Sequence, residues 1–117
     1  MRYRFGDIEV IFKRVGAGRY RATLKYRGGE LRLNRAVVEY LDISRYKAAV
    51  NPYDESLTIT ISKSPPVVAR VSWRRSSILV LASEGQLRDA ADRIAEFAEA
   101  YMAAYRSNAL DRIFYED

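Results

Sequence analysis

Along Arg19-Tyr20-Arg21-Ala22-Thr23-Leu24-Lys25-Tyr26-Arg27 two kinds of side chain alternate at every position. A period of two belongs to a β-strand that is wet on one side and packed on the other, because successive side chains leave opposite faces of a sheet. Arg19, Arg21, Thr23, Lys25 and Arg27 then project one way, about 7 Å apart at ~3.4 Å rise per residue, and Tyr20, Ala22, Leu24 and Tyr26 project the other. A regular row of cations matches a polyanion. Nucleic acid is the commonest polyanion with evenly spaced charge, and cations combined with aromatic stacking surfaces suit single strands best. The same alternation also describes the solvated outer face of an ordinary antiparallel sheet.

The flanking sequence extends this strand into a set of hairpins. Ile8 to Val15 is β-branched and aromatic, Gly16-Ala17-Gly18 turns the chain, and Tyr20 to Tyr26 returns. Gly28-Gly29 predicts a second turn into a short strand, Glu30 to Leu33, and Asn34 is placed to start a short helix near 35–42 with Val37, Val38 and Leu41 as its apolar stripe. Tyr46 to Val50 and Leu57 to Ser62 read as a hairpin around Asn51-Pro52-Tyr53-Asp54-Glu55. Val67 to Trp73 and Ile78 to Leu81 read as another around Arg74-Arg75-Ser76-Ser77.

From Ser83 the period changes. Ser83-Glu84-Gly85-Gln86 has the form of a capping box, and Leu87, Ala91, Ile94, Ala98, Tyr101 and Tyr105 recur at helical spacing, with Ala90, Phe97 and Ala104 widening the stripe. A long amphipathic helix over 83–107 is expected to cover the sheet. Partial helix pairing between subunits is the alternative use of the same stripe. The expected fold class is α+β: an antiparallel sheet of hairpins, a short helix after the third strand, and a long C-terminal helix packed on the sheet. Residues 1–82 are then mainly β, and 108–117 form an acidic, aromatic tail.

At 117 residues and 49% hydrophobic content the chain is expected to be one domain, 1–117, burying roughly two-thirds of its extended surface. No apolar run approaches the ~18 residues of a membrane span, and Met1-Arg2-Tyr3-Arg4-Phe5 lacks a signal-peptide core, so no membrane partner and a cytoplasmic location are expected. With neither His nor Cys there is no imidazole base, thiolate or disulfide and none of the usual zinc ligands; no cofactor is expected. Sixteen Arg against four Lys and a single Gln, Gln86, point toward a hot environment.

Charge is distributed unevenly. Residues 1–35 carry ten Lys or Arg against three acids, whereas residues 83–117 carry four Arg against eight acids. That asymmetry assigns anion binding to the N-terminal half and packing or assembly to the C-terminal helix.

Candidate nucleic-acid-binding residues follow. Arg19, Arg21, Lys25 and Arg27 form the basic row, which Lys13 and Arg14 extend across the preceding turn and Arg2 and Arg4 supplement at the N-terminus. Tyr20 and Tyr26 serve either as stacking surfaces or as core. Trp73-Arg74-Arg75 at a hairpin tip offers an indole face and two guanidinium groups, or alternatively a core Trp beside ordinary turn arginines. Enzymatic motifs are weaker. Gly16-Ala17-Gly18 lacks the third glycine and the following helix of a phosphate loop, and Asp54-Glu55 and Glu116-Asp117 are adjacent acids without further ligands. A non-enzyme is expected.

Two family resemblances accompany this reading. The Arg/Tyr-rich hairpin Arg19 to Arg27, followed by a capped amphipathic helix from Ser83 in a His-free, Cys-free chain, resembles the layout of the archaeal ThermoDBP-related single-stranded-DNA-binding proteins over most of the sequence. That resemblance implies a cleft or intersubunit channel of aromatic and basic groups in an oligomer, a dimer or dimer of dimers. Residues Gly29 to Leu41 are similar to the strand-then-helix unit of AbrB-type swapped-hairpin regulators, although Asn34 stands where those proteins usually have Pro and no Gly-Asp turn follows Ile43. This second likeness implies dimeric binding of double-stranded DNA. The leading expectation is sequence-tolerant binding of single-stranded DNA or RNA, with a protein-assembly module as a further alternative.

Overall fold

Eight antiparallel strands form a single sheet in the computed structural model, which describes residues 1–38, 47–51, 53, 55–63, 66–73 and 77–106. The strands are β1 (Arg2–Phe5), β2 (Ile8–Gly16), β3 (Arg19–Tyr26), β4 (Gly29–Glu30), β5 (Ala48–Asn51), β6 (Ser56–Lys63), β7 (Pro66–Ser72) and β8 (Ser77–Leu81). They lie in the order β1-β2-β3-β8-β7-β6-β5, with β4 joining β3 beyond the end of β8. A short helix, α1 (Arg35–Val38), and a long one, α2 (Leu87–Ala104), complete the described fold, which is α+β as expected.

Alternation divides the sheet into two chemically distinct faces. Ile8, Val10 and Phe12 on β2 stand opposite Tyr26, Leu24 and Ala22 on β3, and Ile78 and Val80 on β8 continue the same face toward Val71 and Ala69 on β7. All of these except Tyr26 are buried. This inner face receives α2.

The helix buries Leu87, Ala90, Ala91, Ile94, Ala95, Phe97, Ala98, Tyr101 and Ala104, and it reaches β1 and β2 as well as β6 and β7. Eighteen residues at ~1.5 Å each give about 27 Å, enough to cross five strand intervals of ~4.8 Å, so one helix bridges both flanks of the sheet. The small residues in the stripe permit close approach, and Phe97 and Tyr101 fill the remaining volume. Leu87 begins the helix after the single turn Glu84–Gln86, where the Gln86 side-chain oxygen accepts the Ser83 N–H at 2.9 Å and the Ser83 hydroxyl at 3.0 Å. Sheet packing therefore accounts for the stripe apart from Tyr105, which is exposed and stacks on Tyr101.

Several boundaries differ from the sequence expectation. β1 is an added strand, paired to β2 through the two-residue turn Gly6-Asp7, where Gly6 takes a φ of +62°. The second turn is Arg27-Gly28 rather than Gly28-Gly29: both residues have positive φ, the geometry of a tight hairpin turn whose twist matches its strands. The strand expected over Glu30 to Leu33 is only Gly29–Glu30, because Leu31 and Leu33 turn inward onto the core. β7 ends at Ser72, before Trp73. The α-helical part of α2 ends at Ala104, and Tyr105 and Arg106 continue the helix with π geometry up to the last described residue; α1 is described only over Arg35–Val38. The remainder of the expected 35–42 helix, Tyr46 and the tail 108–117 lie outside the described residues.

Candidate nucleic-acid interface

The outer face of the sheet is the side away from α2, and its pairing register sets the positions of its charges. Side chains that are direct cross-strand partners share a face and lie about 5 Å apart. One row across the sheet reads Lys13, Arg21, Leu79, Arg70, Thr58 on β2, β3, β8, β7 and β6. The next row adds Arg19, Leu81, Val68 and Thr60. Lys13, Arg19, Arg21 and Arg70 are all exposed. Leu79 is half-buried between Arg21 and Arg70, so an apolar strip separates two guanidinium groups on neighbouring strands.

Two rows farther along β3 the pattern changes sign at each step. Arg4, Glu9, Lys25 and Glu30 face one another on β1, β2, β3 and β4, an alternating ladder in which each charge has an opposite neighbour. Arg2 lies diagonally and pairs with Glu9 at 3.4 Å. The row of four cations expected over Arg19 to Arg27 is thus divided: its Arg19–Arg21 end remains positive and its Lys25 end is locally balanced.

The other sequence candidates are redistributed. Arg27 leaves the row because its turn conformation, φ 50°, redirects it; its Nε lies 3.3 Å from the Asp7 carboxylate and its backbone N–H donates to the Asp7 carbonyl at 2.9 Å. Arg14 is the cross-strand partner of Tyr20, which puts it on the inner-face side, where its Nε donates to the Gly16 carbonyl at 3.4 Å. A bulge at Val15 lets Gly16 pair with Arg19. Tyr20 is 7% exposed and meets Phe12 edge-on, so it is core rather than a stacking platform. Tyr26 is half-buried on the inner face, with the guanidinium groups of Arg27 and Arg106 at 5.1 and 5.2 Å from its ring centre.

Trp73 is half-buried against the core, with Arg35 over its ring at 5.8 Å, and its indole N–H has no hydrogen-bond partner among the described residues. Arg74 and Arg75 lie outside the described residues. Arg70, which sequence reasoning did not select, joins the cationic row; the alternation Val67, Ala69, Val71 already put Val68 and Arg70 on the opposite face.

No protein-family model matches this chain, and no curated protein or solved structure matches it. Among the described residues, no helix is long and apolar enough to cross a membrane.

Proposed function

We propose that this chain binds single-stranded nucleic acid, with little regard to sequence, on the outer face of its sheet. The row Lys13–Arg21–Leu79–Arg70, with Arg19 beside it, carries the reading: four exposed cations on three strands, with no acid among their direct cross-strand partners. Each phosphate neutralised there releases condensed counterion, and that release is indifferent to base identity. A flexible single strand bends to follow cations spaced both along β3 and across to β7, whereas a duplex holds its phosphates in fixed positions. The half-buried Ile11, Leu79 and Val68 and the 39% exposed Leu81 give the bases an apolar surface in place of the aromatic one, since Tyr20 and Tyr26 occupy the inner side.

A panel of fluorescent oligonucleotides at equal length tests this reading. Single-stranded DNA and RNA are expected to bind at low salt, with affinities falling as salt rises and differing little among sequences. Duplex preference, or binding insensitive to salt, would contradict it.

A further inference from the structure

β3 changes partner part-way along its length. Through Ala22 it pairs with β8, and from Lys25 it pairs with β4. The Leu31 N–H still donates to the Leu24 carbonyl at 2.9 Å, and between that bond and the end of the β8 pairing at Ala22 lies a notch of about 430 Å³. That volume falls within the ~300–1,000 Å³ of clefts that hold small ligands. Leu31 and Leu33, packed against the core, line the notch together with Thr23, Ser77, Glu30 and Arg21, the last of which also belongs to the cationic row.

These groups are suited to one kind of ligand. An inorganic anion would use Arg21 and leave the leucines idle, and an aliphatic ligand would leave the hydroxyls and the guanidinium without partners. A flat heterocycle joined to a phosphate satisfies both: its faces lie against the leucines, its edge donors and acceptors meet the hydroxyls and carboxylate, and its anion meets Arg21.

We infer that the notch holds one base of a bound strand, with the adjoining phosphate on Arg21; this deepens the nucleic-acid reading above and rests on it. The chain thereby gains a single nucleotide-binding subsite within an otherwise charge-driven surface. Stacking of one base is expected to contribute roughly tenfold in affinity, which is about 1.4 kcal/mol.

The test compares a dT oligomer with a fully abasic strand of the same length and charge, by fluorescence anisotropy at low salt. The dT strand is expected to bind about tenfold more tightly. Thr23→Leu, at an exposed strand position, narrows the notch and should bring the dT affinity down to that of the abasic strand while leaving the abasic strand unchanged. Free dTMP should shift the amide resonances of Thr23, Leu31 and Ser77, more weakly than the strand does. Equal affinities for the dT and abasic strands in the wild-type chain would overturn the subsite and leave the electrostatic reading intact. No binding of either strand would overturn both, and dTMP binding without strand binding would reassign the notch to a free nucleotide.

Discussion

The Tyr101 hydroxyl accepts the backbone N–H of Asn34 at 2.7 Å, a bond spanning 67 residues of chain. The same hydroxyl donates to the Arg32 carbonyl at 3.2 Å, so one side chain of α2 satisfies two backbone groups of the irregular segment between β4 and α1. Leu31 and Leu33, the apolar wall of the notch, lie on or beside this tethered stretch. The helix therefore anchors the wall of the proposed base subsite as well as covering the core.

Tyr101→Phe keeps the ring and removes the tether. It should cost about 1–3 kcal/mol in denaturant unfolding, because a backbone donor and an acceptor lose a partly buried partner. Wild-type-like stability would show that water replaces the hydroxyl without loss.

The same phenol makes stability pH-dependent. Burial raises the Tyr101 pKa above the ordinary 10.0, the Asn34 hydrogen bond opposing the shift and Tyr105 reinforcing it. The fold favours the neutral phenol, so its contribution is complete below that ordinary value and is lost as pH rises through it toward the folded-state pKa. Unfolding free energy measured from pH 8 to 11 should fall more steeply for wild type than for Tyr101→Phe; parallel profiles would contradict this assignment.

Arg27→Asn tests the turn. Left-handed backbone costs a non-glycine residue roughly 1–2 kcal/mol, and Asn-Gly is the preferred pair for this turn type. The Arg27–Asp7 pair is well exposed and contributes little. The variant should melt a few degrees higher, and a lower melting temperature would show that the Tyr26 stack and the Asp7 contact outweigh the backbone strain.

Ala98 is fully buried beneath the sheet, so Ala98→Leu should destabilise the fold by about 1–3 kcal/mol through overpacking. An unchanged stability accompanied by altered oligomer size would instead mean that this stripe serves helix pairing.

Glu9→Gln removes an acid from the balanced ladder and frees Arg2. Oligonucleotide affinity at low salt should rise several-fold, and the increase should disappear at high salt. A loss of affinity would place the binding surface elsewhere.

Periodicity carried most of the architecture. Tyr20, Ala22 and Leu24 announced the inner face of β3 and Leu87 to Ala104 the covering helix, because burial repeats at two or at ~3.6 residues wherever one face is dry. Charge neutralisation was not legible in this way. Glu9 and Glu30 are 16 and 5 residues from Lys25 in sequence, and only the strand register makes them its neighbours. Arg70 escaped selection for the converse reason: it is the one charged residue in the apolar run of β7, and it joins Arg21 only because β8 lies between β3 and β7. Turn backbone accounts for Arg27, whose positive φ removes it from the face that simple alternation assigns to it.

The most direct test of the central claim is the slope of log affinity against log salt for a dT oligomer. Removing Lys13, Arg21 and Arg70 together by alanine substitution should reduce that slope by about 2, since each phosphate contact with a single strand contributes ~0.7, whereas Arg88→Ala on the exposed face of α2 should leave it unchanged. An unaltered slope in the triple variant, or an equal reduction on losing Arg88, would contradict the assignment of binding to the outer face of the sheet.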